Sequence, residues 1–505
     1  MQNNDCLIKD HILEQIKKVS VCCVSTYTAR HIRNRMMHFA VSPDFKFYLS
    51  SISTDPKIKQ ITLNSQISLL IYIPGNSFPE DIEVEVNGYA KMINQKEKAV
   101  ELLIDRSPVV AQLKKYNKLD MLSFIEIIPI QVKFRQVKDI LQGISPTVIE
   151  FEHHYVSDND WEKFKRKLNA WITEMRYPFL SVTILPVLLG TVIAWTKNNV
   201  FNFLHFILTL LAASFLHLGT NVINDYFDHK SGNDEVNTEF VRPFSGGSRM
   251  IQLGLLTPLE VLVGAIVFFI SGIAIGIYLT YKCGIIVLLL GLIGVISGFF
   301  YTGGVFNWAS KGIGELLVGV NFGVLVPLGS YYVQTKILNL EVLLASVPMA
   351  ILITAILWIN EIPDYNADKK VKKNTLVVRL GKEKSAQIFV YILLSSYIFL
   401  IVGVILGYLP KITLVGLVSL PFAIQSIIYV KKFYNNSFDM AAGNGFTILC
   451  FNILGLVFVN SYLWLSVKNI YILPTVLFSL FYILWHYNNI KVQTETYTKL
   501  KSLVT

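Results

Sequence analysis

The pattern of apolar and polar positions changes near residue 177. Before it, apolar residues alternate with polar ones in short runs broken by turn residues. Period-two alternation marks strands with one buried face. Strands are predicted at about 20–27, 35–41, 45–51, 67–73, 82–93 and 123–135, each rich in β-branched or aromatic residues. Short helices fit at 10–18, 56–63, 95–104 and 108–116. Many short strands with few helices point to a small closed barrel. After residue 177, apolar runs recur at about 178–195, 201–223, 258–281, 284–301, 313–333, 340–359, 386–409, 412–430, 446–467 and 471–486. About 20 apolar residues cross a bilayer as a helix. Nine transmembrane helices are therefore expected, with a tenth run that is short for a span.

The expected organisation is multidomain. An α+β barrel domain covers 1–145, and a linker with a juxtamembrane helix covers 146–176. An all-α polytopic membrane domain covers 177–488, and a basic tail covers 489–505.

Composition agrees: 53% of the 505 residues are hydrophobic and only 16% charged. The net charge is +10, but the basic residues lie mostly in the first domain and in loops between apolar runs. That is the positive-inside pattern, not the footprint of a nucleic-acid binder. Loops after the second, sixth and eighth runs carry it, including Lys230, Lys369, Lys370 and Lys431. These loops and the first domain are expected on the cytoplasmic side of the cell membrane. The opening MQNNDCLIKDHILEQIKK is polar and does not read as a signal peptide. Five cysteines show no metal or redox spacing; Cys22 and Cys23 are expected on opposite faces of a strand.

The candidate chemistry lies where two apolar runs end. The first closes in NVINDYFDHKSGND, Asn221 to Asp234. Asn221, Asp225 and Asp228 share one helix face at i, i+4 and i+7, and Asn224 lies one position off it. Each Asp near a bilayer centre costs roughly 2.5–3.5 kcal/mol, so a cationic partner is expected there. The second run ends in NEIPDYNAD, where Asn360, Asp364 and Asp368 share a face, and Pro363 is expected to interrupt that helix. Oxygen ligands without Cys or His suit Mg²⁺, which takes one or two carboxylates and completes its shell with phosphate and water. Two such clusters can hold metal ions on either side of one diphosphate. Either cluster alone can also be a helix end wetted at the interface. Cation transporters carry intramembrane carboxylates too, though nearer mid-span than these. Glu315, at a predicted helix start, is expected to cap it.

These stretches resemble the two aspartate-rich motifs of the UbiA superfamily of intramembrane prenyltransferases. GGSRMIQLGLL (246–256) and KGIGELLVGVNFGVLVPLGSYYV (311–333) resemble its 1,4-dihydroxy-2-naphthoate polyprenyltransferase branch. The resemblance implies transfer from polyprenyl diphosphate to an aromatic acceptor in menaquinone biosynthesis. Relatives act on 4-hydroxybenzoate and other acceptors. It further implies that Asn221, Asp225, Asp228, Asp364 and Asp368 hold Mg²⁺–diphosphate. Lys373 fits the family's basic residue after the second motif. Arg242, Arg249, Asn224 and Asn360 are the remaining candidates for substrate contact. Gly232 stands where many members have a third Asp, and Asp234 follows it.

A second resemblance covers 35–72, which looks like the flavin-binding split barrel of the pyridoxamine 5'-phosphate oxidase superfamily. It implies an FMN phosphate gripped by Arg35 and Lys57, with Tyr48 and Ser50 on the strand between, and a homodimer. Pro56 stands where the family's turn has Ser. A barrel that serves only as a docking module is the alternative.

Overall fold

The structure, a computed structural model, describes residues 2–27, 32–93, 96–142, 145–151, 160–237, 239–241, 244–253, 255–303, 306–465 and 472–501. The chain forms two compact units, Met1–Ala170 with Leu253–Thr257, and Trp171–Gln252 with Pro258–Thr505.

Among its described residues the first unit contains seven antiparallel strands: β1 Val21–Tyr27, β2 Ile32–Val41, β3 Phe47–Ile52, β4 Gln66–Ile73, β5 Ile82–Ile93, β6 Leu122–Gln136 and β7 Thr147–Glu150. The order is β3-β2-β1-β4-β5-β6, and β3 pairs with β6 to close a six-stranded barrel. Strict alternation along β5 turns Ile82, Val84 and Val86 inward, where they meet Val24, Phe39 and Leu69. Pro129 has no N–H to give the ladder; it sits opposite Gly88, and the register shifts there. Cys22 is buried in β1 and its neighbour Cys23 faces the other way. The expected boundary at 145 falls inside this domain. β7 pairs with Gln131–Phe134, the half of β6 that β3 does not reach. Four residues show too little alternation to announce a strand.

Eight helices of the second unit are long and apolar enough to cross a membrane: Tyr177–Asn198, Phe203–Ser231, Pro258–Cys283, Gly314–Thr335, Leu340–Lys370, Lys382–Ile405, Lys411–Phe433 and Ser437–Trp464. Among the described residues the count is therefore eight, not the nine expected. The run at 284–301 yields only Ile285–Phe299, 15 residues, or about 22 Å of helix against a core of about 30 Å. Ile472–Lys501 is one helix that takes in most of the expected tail, and it is not among the eight. Ser437–Trp464 is the most enclosed span. Its Phe451, Leu454 and Phe458 pack into a core shared with Leu185, Met349 and Phe389. Pro258–Cys283 instead exposes Ile270, Ile277 and Tyr281, the apolar exterior that lipid covers.

Two spans carry the acidic motifs. Phe203–Ser231 has 29 residues and Leu340–Lys370 has 31, so each is roughly 45 Å long. Their last turns outrun the apolar core, which is where the acids lie. Pro363 does not interrupt its helix, which runs unbroken from Leu340 to Lys370. A proline removes one N–H, whereas leaving the helix would strand several backbone groups at a membrane boundary. The span Gly314–Thr335 contains a π-turn at Asn321–Leu325. Pro327, just past it, has no N–H to offer the Gly323 carbonyl four residues back.

Candidate active site

The two motifs exchange partners. The loop after the first motif holds the acids of the second: Asn233 Nδ2 donates to Asp368 Oδ1 at 2.8 Å, and Asn237 Nδ2 donates to Asp364 Oδ1 at 2.7 Å. The loop after the second motif holds the first: Lys373 Nζ donates to Asp228 at 3.0 and 3.2 Å and lies 3.8 Å from Asp368. Burial pulls the Lys373 pKa down, but Asp228 and Asp368 outweigh it and hold the ammonium well above its ordinary value. The exchange depends on how the first motif helix stops. Gly232 takes a left-handed φ of 77° as its C-cap, and the short helix Asn233–Val236 turns back over the second motif.

A second loop bridges both motifs through its backbone. Gly246 and Gly247 have φ of 73° and 69°, a region glycine enters without a Cβ clash. The Gly246 N–H donates to Asp364 Oδ2 at 3.2 Å, and the Ser248 N–H donates to Asp225 Oδ2 at 2.8 Å. Arg176, just before the first span, donates to the other oxygen of Asp225. Ser248 also donates its hydroxyl to Glu174. Burial raises the Glu174 carboxyl to about 7.

The acids border a cleft of about 1170 Å³, open solvent at its mouth included. An apolar groove of about 1390 Å³, measured the same way, adjoins it between Phe203–Ser231, Pro258–Cys283, Ile285–Phe299 and Gly314–Thr335. His217, Thr220, Tyr301, Val318 and Phe322 line both. A polar chamber continuous with an apolar channel suits an amphiphile with an anionic head.

Of the residues singled out from the sequence, Asn221, Asn224, Asp228, Asn360, Asp364, Asp368 and Lys373 line this cleft. Asp225 is buried beside it against Arg176. Arg249 does not line it. Its guanidinium donates to the Asp234 and Asn237 carbonyls and lies 4.3 Å from the Phe240 ring centroid, so it braces the loop. Arg242 lies outside the described residues. Asp234 borders the cleft; burial and then Asp228 raise its pKa to about 8. Glu315 does cap a helix, but a different one: its Oε1 accepts the N–H of Leu376, which opens Leu376–Leu380. Sequence reasoning missed Arg176, Asn233, Asn237 and Gly246. The i, i+4 spacing of Asn233 and Asn237 was the one available signal.

The donor set fits a divalent cation. The four motif carboxylates offer only oxygen, and Asn224 and Asn233 each leave a buried Oδ1 without a partner. Among the described residues no three His, Cys, Asp or Glu side chains gather on one point. One or two carboxylates per ion, with phosphate and water completing the shell, is the Mg²⁺ habit.

In the barrel, Arg35 donates to Thr26 Oγ1 at 2.8 Å and to Gln60. Lys57 Nζ lies 2.9 Å from Asp55 Oδ2, and Asp55 Oδ1 accepts the Lys57 N–H at the start of helix Pro56–Leu63. Burial lowers the Arg35 pKa, and the charge of Asp55 opposes that shift. Tyr48 is buried and donates instead to Glu126 at 2.9 Å. Ser50 sits on β3 opposite Phe124.

The UbiA prenyltransferase family model matches residues 183–444. The chain is 31% identical over 261 residues to 1,4-dihydroxy-2-naphthoate octaprenyltransferase of Bacillus subtilis, covering 52% of this chain and 81% of that one. To the enzyme of the same name from Escherichia coli it is 30% identical, covering 46% and 76%. To that of Haemophilus influenzae it is 33% identical, covering 45% and 74%. The paired acidic motifs, the eight apolar spans and these matches agree: the chain belongs to the UbiA prenyltransferase family and is a multi-pass integral membrane prenyltransferase.

Proposed function

We propose that the protein transfers a polyprenyl group from polyprenyl diphosphate to 1,4-dihydroxy-2-naphthoate, a step of menaquinone biosynthesis. The observation that carries this reading is the exchange of partners between the motifs beside an apolar groove. It sets Asp228, Asp364, Asp368, Lys373 and Arg176 around one chamber, with Asp225 buried beside it, into which a prenyl chain can feed its diphosphate. The names of the relatives support the acceptor. Family membership replaces the transporter reading.

Transfer breaks the allylic C–O bond, and the leaving diphosphate takes the electron pair. Lys373 and Arg176 bring positive charge to where that negative charge grows. Asp225, Asp228, Asp364 and Asp368, with Asn221, would hold Mg²⁺, which supplies further charge stabilisation on the phosphate oxygens when bound. Asn224 and Asn360 face the same chamber as substrate contacts. The acceptor carbon that bears the carboxylate bonds to the prenyl C1 and releases CO₂, whose bonding pair restores the aromatic ring. The basic loops support a cytoplasmic position for the motifs and the barrel.

The test is conversion by membranes that contain the protein. Naphthoate and a polyprenyl diphosphate should yield demethylmenaquinone. Turnover of 4-hydroxybenzoate but not the naphthoate would assign another acceptor.

We further propose that the barrel binds FMN, with its phosphate between Arg35 and Lys57, as a homodimer. Lys57 in the first turn of Pro56–Leu63 supports this, since a helix N-terminus favours anions, and Arg35 reaches the same helix from β2 through Gln60. An incoming phosphate has to displace Asp55.

A further inference from the structure

A diphosphate held in the cleft with its chain in the groove brings its reacting C1 past the residues that line both cavities. The acceptor must meet it there. The groove is otherwise walled mainly by aliphatic side chains and glycine, so polar atoms at this end need a reason. Two polar side chains play no part in holding the diphosphate: His217, which lines both cavities, and Asn321, which lines the groove next to Phe322.

His217 lies in the motif helix two turns before Asp225 and is buried. Its Nδ1 is 2.7 Å from Thr183 Oγ1. With Thr183 donating, the imidazole proton lies on Nε2, which has no partner among the described residues. The ring rests against Phe322, centroids 4.6 Å apart. Asn321 opens the π-turn. Its Nδ2 donates to Ser297 Oγ at 2.6 Å, while its Oδ1 is buried with no donor. An unpaired buried amide oxygen is destabilising, and π-turns recur at functional sites. This turn is locked in place, because a Cβ on Gly323 would overlap the Ala350 backbone.

We propose that His217 and Asn321 form the recognition site for the acceptor. A hydroxylated aromatic ring lies against Phe322, a ring hydroxyl donates to Asn321 Oδ1, and His217 Nε2–H donates to a second acceptor oxygen. The pair tells a polar bicycle from a prenyl tail at the one place where both arrive. This rests on the reading of the acceptor as a hydroxylated aromatic.

The test uses the full-length protein in detergent with two acceptors, 1,4-dihydroxy-2-naphthoate and 1-hydroxy-2-naphthoate, which lacks one hydroxyl. Asn321→Leu should raise the KM for the dihydroxy acceptor about tenfold, leave the KM for polyprenyl diphosphate within about twofold, and narrow the gap between the acceptors. His217→Phe should raise the acceptor KM in the same selective way, and His217→Gln, which keeps an N–H, should recover most of it. Retained affinity for polyprenyl diphosphate shows that each variant is folded; Asn321→Ser takes the place of the leucine variant if it is not. An unchanged acceptor KM, or discrimination between the acceptors equal to wild type, overturns the proposal. If wild type prenylates only 4-hydroxybenzoate, the naphthoate assignment fails by itself. The same KM split measured on that acceptor then upholds the recognition site, and its absence overturns it.

Discussion

Lys373 donates to both carboxylate oxygens of Asp228, at 3.0 and 3.2 Å, across 145 residues of chain. The contact ties the loop after the second motif to the helix of the first. It also brings one buried cation between Asp228 and Asp368. Neither motif is complete without the loop that follows the other.

Lys373→Met should therefore lower kcat by roughly 10²–10³-fold, because it removes charge that faces the leaving diphosphate and leaves two carboxylates uncompensated. Asp228→Asn should cost a similar factor. The double variant should lose far less than the product of the two. A double-mutant cycle on turnover checks this, and strictly multiplicative losses would mean that the residues act separately.

Gly247→Ala tests the backbone bridge. A Cβ there comes 3.0 Å from Asp225 Oδ1 on a residue with φ of 69°. Strain of roughly 1–2 kcal/mol is expected from the left-handed backbone alone, together with a marked loss of kcat as Asp225 shifts. Gly232→Ala is the control: its φ is 77°, but nothing lies within 4 Å of the added carbon. It should lower the melting temperature and keep most of the activity.

Much of this was legible in the sequence, and the parts that were not share a cause. The barrel strands show because alternation is a local signal, and helix Pro56–Leu63 shows because Asp55 and Pro56 mark its start. The acidic faces were visible as i, i+4 spacing. Their partners were not: Asn233 and Asn237 meet acids 135 and 127 residues away, and Arg176 meets one 49 residues away. Local pattern carries no information on such pairings. The ninth expected span is not among the eight because hydropathy marks apolar length, whereas Ile285–Phe299 ends where Phe300 leaves the helix. The π-turn had one local cue, Pro327, which also fits an ordinary kink.

Glu174 supplies a pH dependence. Burial lifts its carboxyl to about 7 from an ordinary 4.5, against the pull of Ser248 and Arg176. The folded protein thus binds this proton more tightly than the unfolded chain. The stability gained is complete below the unfolded value and is lost as pH rises through about 7. Between about pH 5 and pH 8, the wild-type melting temperature should fall relative to that of Glu174→Gln, which has no titrating group there. Parallel profiles for the two proteins would contradict the assignment.

The barrel yields a separate prediction. If an FMN phosphate must displace Asp55 to reach Arg35 and Lys57, then Asp55→Asn should tighten FMN binding, and Lys57→Ala should weaken it by about tenfold or more. Quenching of flavin fluorescence by the full-length protein reads both. A protein that ignores FMN in all three forms leaves the barrel as a docking or dimerisation module.

The most direct test of the account is the Mg²⁺ dependence of diphosphate release in wild type, Asp228→Asn and Asp364→Asn. One carboxylate comes from each motif. If the two motifs serve one metal–diphosphate chamber, EDTA abolishes wild-type release and Mg²⁺ restores it. Each variant should then need far more Mg²⁺ and still fall short of the wild-type rate by roughly 10²-fold or more. Wild-type release in excess EDTA, or a near-normal rate from either variant at ordinary Mg²⁺, would contradict it.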